Sequence, residues 1–166
     1  MSESQSLPAA WTADSKAVLF TSDRNGKMGI FKQGLEQDAA ETVVSGSEAA
    51  YTPRLSPDGS WVLYTIAPTE AGYSAPQRLM RVPVNGGPPE LLLKAPIYDT
   101  HRCSTSPATL CAIAELSQDH KELVFTALDP IKGKVREIAR FGIDSNMAYS
   151  YTWSLSPDGT RIAIEK

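Results

Sequence analysis

Asp14, Asp58 and Asp158 recur at matched places in this chain, each inside a short turn segment: TADS, SPDG and SPDG again. Carboxylates repeated in register suggest a divalent cation, because hard cations collect oxygen ligands from several side chains at once. A plainer role uses the same residues. A turn aspartate accepts hydrogen bonds from nearby amides, a proline presets the backbone angle before it, and a glycine after it takes the left-handed conformation at little cost. Because the copies belong to separate repeats and point from different places, the structural turn is the expected role of Asp14, Pro57, Asp58, Gly59, Pro107, Pro157, Asp158 and Gly159. Asp23-Arg24-Asn25-Gly26 resembles the opening of a calcium loop, but it lacks the third oxygen ligand at its spacing and the distal Glu, so a hairpin turn is expected there.

Nucleophilic chemistry needs a serine or cysteine held beside a base. The two histidines, His101 and His120, have no G-x-S-x-G elbow to serve, and Cys103 and Ser104 are merely sequence neighbours of His101. His101-Arg102-Cys103 is not the H-R-D of a kinase catalytic loop, and neither a Gly-rich phosphate loop nor D-F-G is present. No catalytic residue, metal or cofactor is therefore expected. Cys103 and Cys111 flank the segment STSPATL. If that segment closes a hairpin, residues whose numbers sum to about 214 face one another, which sets the two cysteines cross-strand within bridging reach. The corresponding pairs in the neighbouring repeats are Pro53 with Trp61 and Trp153 with Arg161. The cysteines form either a disulfide or two small buried thiols. Two sulfurs without a nearby histidine pair do not make a zinc site.

The elements that carry these residues follow from the repeats. LSPDG occurs at residues 55–59 and 155–159, followed each time by an alternating apolar run, SWVLYT or TRIAIE. A degenerate copy, TSPAT then LCAIAE, lies midway, and a fourth begins at TADS with KAVLFT. A period of 44 to 50 residues built from strands and turns is the mark of a β-propeller blade. Within a unit the entering strand TPRLS meets the PDG turn, SWVLYTI alternates about it, RLMRVPV follows a longer loop, and Asn85-Gly86 turns the chain into ELLLKA. Val62 and Tyr64 face one side of their strand, Trp61 and Leu63 the other. The expected fold is all-β, a propeller of four-stranded antiparallel blades with about three blades and a partial one. Its divisions fall at a tail of 1–7 and blades of 8–51, 52–101, 102–151 and 152–166, the last incomplete. A six-bladed ring at this period needs on the order of 270 residues. A piece of a longer chain, or copies that assemble through open blade edges, are the two accounts of the difference.

The chain of 166 residues is 42 % hydrophobic and 21 % charged, with a net charge of −3, which marks ordinary globular material. That charge offers no basic surface for phosphates, so nucleic-acid binding is not expected. No apolar run approaches ~18 residues, so no membrane insertion by this segment is expected. The opening MSESQSLPAAW has neither the basic start nor the apolar stretch of a secretory signal. Trp11, Trp61 and Trp153, with Tyr64, Tyr149 and Tyr151, are expected to pack between blades rather than to form a recognition surface. The loop 67–77, with Tyr73 among small residues, is the candidate binding loop, a solvated connection being the alternative.

SPDG together with TSDRNGKMGIF resembles the TolB-type, WD-repeat-like bacterial propeller family, and the resemblance runs from Pro8 to the carboxyl terminus. Repeat three departs from the pattern by carrying Ala108-Thr109 in place of Asp-Gly. CSTSPATLCAIAE and ELVFTALDPIKGKVREIARF are similar to propellers appended to bacterial serine/threonine kinases and winged-helix regulators. The resemblance implies a non-catalytic module that binds or senses a protein or small-molecule ligand, as an accessory domain. It also favours an extracytoplasmic setting, in keeping with a bridged Cys103 and Cys111. The alternative is the gating propeller of a prolyl-oligopeptidase-type serine peptidase, whose repeats also read SPDG.

Overall fold

A computed structural model describes residues 5–66 and 76–166 of the chain. In order, the strands are β1 (Ser6–Trp11), β2 (Ala17–Ser22), β3 (Gly29–Gly34), β4 (Glu41–Val44), β5 (Ala50–Leu55), β6 (Trp61–Ile66) and β7 (Gln77–Pro83). They continue with β8 (Glu90–Ala95), β9 (Ile97–Cys103), β10 (Cys111–Leu116), β11 (Glu122–Asp129), β12 (Gly133–Gly142), β13 (Thr152–Leu155) and β14 (Ile162–Glu165). A two-turn 3-10 segment, Ser145–Ser150, precedes β13. The strands form antiparallel meanders β1-β2-β3-β4, β5-β6-β7-β8 and β9-β10-β11-β12, then the hairpin β13-β14. The sheets meet at 95–97, so a division at 101/102 falls inside β9, whose IYDTHRC lacks the apolar alternation that signals a strand.

Each sheet stacks on the next through one face. Leu19 and Ile30 of blade one pack on Val62, Tyr64, Ile66 and Val82 of blade two. The opposite face of blade two, Leu63 and Leu79, packs on Ile97, Cys111, Ile113 and Leu128 of blade three. Ala112, Ala114, Leu123 and Phe125 then turn from blade three toward Tyr151, Trp153, Ile162 and Ile164. The alternation read at Val62, Leu63 and Tyr64 is thus real, but because both faces of the sheet are covered, every residue from Val62 to Ile66 is buried. First strands touch first strands, β1 on β5, β5 on β9 and β9 on β13, so they stand innermost. The outermost strand of blade three, β12, is an open edge broken by two register shifts and lined with charge, Lys134 on Glu115 at 2.6 Å and Arg140 on Glu122 at 2.8 Å. Both devices discourage edge-to-edge pairing.

The SPDG turns share one hydrogen-bond pattern. In blade two, Ser56 N–H donates to Trp61 O at 2.9 Å and Gly59 N–H to Ser56 O at 2.8 Å. The Ser56 hydroxyl donates to Asp58, Ser60 N–H donates to Asp58 Oδ1 at 3.1 Å, and Trp61 N–H donates to Ser56 Oγ at 3.0 Å. The same arrangement recurs with Thr12 and Asp14, and with Ser156 and Asp158. A further copy, absent from the sequence reading, joins β10 to β11 through Ser117, Asp119 and Lys121. The residue after each aspartate is left-handed: Ser15 at φ 57, Gly59 at 72, His120 at 56 and Gly159 at 69. In all four turns the neighbouring hydroxyl, first among the causes, holds the carboxyl below its usual range.

Blade three closes its first hairpin differently. Ser104 N–H donates to Leu110 O at 2.8 Å around a five-residue loop, whereas Ser56 and Trp61 enclose four residues. Pairing therefore runs Cys103 with Cys111 in blade three, but Leu55 with Val62 and Leu155 with Ile162 elsewhere. The expected analogues, Pro53 with Trp61 and Trp153 with Arg161, do not form; Trp153 faces Ile164. The shorter aspartate loop shifts the register.

Polar bonds also cross the seams. Arg54 Nη1 donates to Ala9 O at 2.6 Å, from blade two to blade one. Arg81 Nη1 donates to Pro130 O at 2.9 Å, from blade two to blade three, while its guanidinium binds Glu90 and lies over Trp61. Arg102 lies over Trp153, from blade three to blade four. His101, wholly buried, meets Leu63 O at 3.2 Å through Nε2. A carbonyl only accepts, so Nε2 carries a proton in this contact. Burial first, then the charges of Arg54 and Arg102, lower its pKa to about 3.

Replacing Asp58 by Ala removes the acceptor at the centre of one turn and should cost about 1 kcal/mol, read as a lower urea midpoint with unchanged slope. The pH dependence has two windows. His101 has a folded pKa below its unfolded value, so its contribution is complete above about pH 6.5 and declines as pH falls toward 3. The four turn aspartates also have depressed folded values, so theirs is complete above about pH 4 and is lost on further acidification. Unfolding free energy measured from pH 8 to pH 3 should fall in both windows; a curve flat between pH 6.5 and 4 contradicts the buried neutral His101.

Candidate functional site

Pro57, Pro107 and Pro157 all stand in the turn between the first and second strands of their blades, Pro57 buried, the other two exposed. Asp14, Asp58 and Asp158, with Gly59 and Gly159, lie in three separate blades, and each carboxylate is engaged by its own turn. Among the described residues no group of three or more His, Cys, Asp or Glu side chains is placed to hold a metal ion. Asp23-Arg24-Asn25-Gly26 forms the β2–β3 turn, closed by Gly26 N–H donating to Asp23 O at 2.7 Å. Cys103 and Cys111 are joined by a disulfide, so neither sulfur is a free nucleophile. His101 is spent on Leu63 and His120 sits in an exposed turn. Tyr73, with most of the loop 67–77, lies outside the described residues.

Of the tryptophans, Trp153 is buried against Phe125 at 5.2 Å edge-on, and Trp61 is half-buried under Arg81. Tyr64 and Tyr151 are buried. Trp11 differs, being 58 % exposed. Its cross-strand partner is Val18, and Val18 with Phe20 lies on the face of blade one opposite Leu19, where none of the described sheets packs.

On that face lies a shallow concave feature with a defined lining. A depression of about 380 Å³ is bounded by Ser6, Val18, Phe20, Gln33, Leu35 and Gln37, with Gly34 between them. Leu35 is 65 % exposed on its rim. The polar groups around it bind one another: Ser6 Oγ donates to Ser22 Oγ at 3.1 Å, Gln33 Nε2 to Gln37 O at 3.0 Å, and Gly34 N–H to Gln37 Oε1 at 2.9 Å. Arg24 is stacked over Phe20 and Phe31, 4.9 and 4.7 Å from the ring centroids. What remains toward solvent is mostly apolar and suits a hydrophobic side chain better than a polar metabolite. The repeat explains its chemistry. Aligning Asp14 with Asp58 sets Val18 on Val62 and Phe20 on Tyr64, and those two are the residues that blade one covers in blade two. The 44-residue offset between Asp14 and Asp58 is the signal in the sequence that marks these positions.

Among the described residues no helix is long and apolar enough to cross a membrane. No protein-family model matches the chain, and no curated protein matches it. Solved structures do. A protein of Agrobacterium tumefaciens assigned as a TolB superposes with a TM-score of 0.70 at 19 % identity, over 97 % of this chain and 58 % of that one. TolB of Acinetobacter baumannii gives 0.56 at 14 % identity, over 82 % of this chain and 33 % of its own. The β-propeller domain of the Trilobed protease from Pyrococcus furiosus, described as having an open velcro topology, gives 0.57 at 16 % identity, over 88 % and 43 %. This chain therefore spans between a third and three fifths of the lengths of these propellers. At such identities the likeness speaks for architecture, and the architecture is that of a β-propeller, as in these TolB structures, with four-stranded antiparallel blades stacked in an open run.

Proposed function

We propose that the chain is a non-catalytic recognition module, a run of blades from a larger propeller that holds an axial mouth and its loops in place for a protein or small-molecule partner. The observation that carries this is the open face of blade one. Its apolar residues occupy the positions that blade two buries, and its polar groups are already satisfied, which is the make-up of a joining surface. A further blade covering Val18, Phe20 and Leu35 in the whole protein leaves the inner mouth and the loop 67–77 as the surfaces for a partner. Packed blades hold the inner strands in place, so recognition at the mouth costs little ordering. In this reading the module is an accessory domain of a larger bacterial protein, such as a kinase or a winged-helix regulator. Studied alone, the chain exposes the same face and self-associates through it.

A second reading, the gating propeller of a prolyl-oligopeptidase-type serine peptidase, is favoured by the likeness to a protease propeller domain. A fluorophosphonate probe separates the two. Labelling of a serine in the whole protein, within a G-x-S-x-G elbow beyond residue 166, selects the peptidase reading, and absence of such an elbow selects the accessory module.

Leu35→Asp tests the joining face. In the 166-residue chain alone it should leave the unfolding free energy within about 0.5 kcal/mol and abolish concentration-dependent association in sedimentation velocity, whereas in the whole protein it should destabilise by about 1–3 kcal/mol. Equal effects in both settings argue against a covering blade. Replacing 67–75 by a Gly-Ser segment of equal length should weaken capture of the partner by the whole protein about tenfold without changing its melting temperature. Unchanged capture shifts the recognition surface elsewhere.

A further inference from the structure

We propose that the Cys103–Cys111 disulfide is a redox latch that controls how firmly the fourth blade docks on the third. The other first hairpins are held by an aspartate that gathers the turn around itself, through Asp14, Asp58 and Asp158. The blade-three loop, Thr105-Ser106-Pro107-Ala108-Thr109, has no such carboxylate and is closed by Ser104 N–H on Leu110 O and Ala108 N–H on Thr105 O. The one first hairpin that lacks the aspartate is the one whose strands are tied covalently, directly behind the loop, at the directly opposed pair Cys103 and Cys111.

That loop is also the seat of blade four. Thr105 N–H donates to Pro157 O at 2.8 Å and the Thr105 hydroxyl reaches the same oxygen at 3.2 Å. Gly159 lies so close that a Cβ there would stand 3.2 Å from Leu110 Cβ and 3.3 Å from Ser104 Cβ. At the seam between blades one and two the equivalent Gly59 has only Ala13 Cβ, at 3.7 Å. Opening the disulfide frees residues 104–110, and with them both hydrogen bonds to Pro157 and the surface under Gly159.

The chemistry is a two-electron exchange with a dithiol. A thiolate of the reductant attacks Cys103 Sγ, the half-buried sulfur, breaking the S–S bond; Cys111 leaves as a thiolate and takes up a proton. The second thiol of the reductant then attacks the mixed disulfide, releasing Cys103 as a thiol and closing the reductant's own disulfide. Cys111 is fully buried among Leu63, Leu79 and Ile113, where a thiolate is disfavoured, so exchange proceeds from an opened hairpin. Docking of blade four and integrity of the bond therefore protect each other, as linkage requires.

Two measurements test this. Native-state hydrogen exchange on the 166-residue chain, with and without dithiothreitol, should show amides of Thr105 and of residues 152–165 exchanging about tenfold faster once reduced, while Trp61–Ile66 keeps its rate. Unchanged rates at 152–165, equal acceleration throughout, or two reactive thiols before any reductant is added would each overturn the latch. In the reciprocal arm, Gly159→Ala should raise the rate of thiol release by dithiothreitol severalfold, and Gly59→Ala, at the matching turn where the nearest neighbour is Ala13 of blade one, should leave it at the parent value. Equal rates for the two variants also overturn the proposal.

Discussion

The sheet β5–β8 offers Val62, Tyr64 and Ile66 to one neighbour and Leu63 and Leu79 to the other, so it is stable only while sandwiched. Each such side chain, fully covered, contributes about 1.5–3 kcal/mol. Left uncovered, it contributes nothing and invites association. Blades therefore depend on their neighbours as repeats of a linear array do, each supplying the other's cover. The innermost placement of β1, β5, β9 and β13 follows from the same demand. Successive twisted sheets must fan about an axis to keep their faces in contact, and the first strands lie closest to it.

Hydrophobic cover alone does not fix the angle between blades, and the arginines add direction. Arg54 reaches Ala9, Arg81 reaches Pro130 and Arg102 lies over Trp153, so among the described residues every seam carries a long cation directed at a fixed group on the adjacent blade. Arg81 shows why this residue type suits the role: its planar fork binds Glu90, donates to Pro130 and stacks on Trp61 at once. His101 adds a neutral bond from the inner strand of blade three to Leu63 of blade two. The positive charges of Arg54 and Arg102 both work against a second proton on that ring.

Much of this was legible in the residues. Period and alternation gave the blades, because strands buried on either face still place Val62 and Leu63 on opposite sides. The antiparallel register around Pro107 brought Cys103 opposite Cys111 by arithmetic. The same arithmetic failed at Pro53 with Trp61, since loop size, which sets register, depends on whether an aspartate tightens the turn. The turn at Asp119 was overlooked because it reads SQDHK rather than SPDG. What the backbone needs there is a hydroxyl, a carboxylate two residues on and a left-handed residue next, and His120 supplies the last without being glycine. The strand β9 and the exposure of Trp11 were not readable from local pattern, because both depend on which sheet lies alongside.

Blade three carries a loop one residue longer than its fellows, pairs its first two strands in a different register, and still presents apolar residues to both neighbours. Register is decided hairpin by hairpin, with no bookkeeping shared along the chain. A polymer made this way tolerates small insertions and deletions one module at a time, so its spelling drifts quickly while its contour persists. That drift explains how a sequence can be as little as 14 % identical to a solved propeller and still lie along the same path.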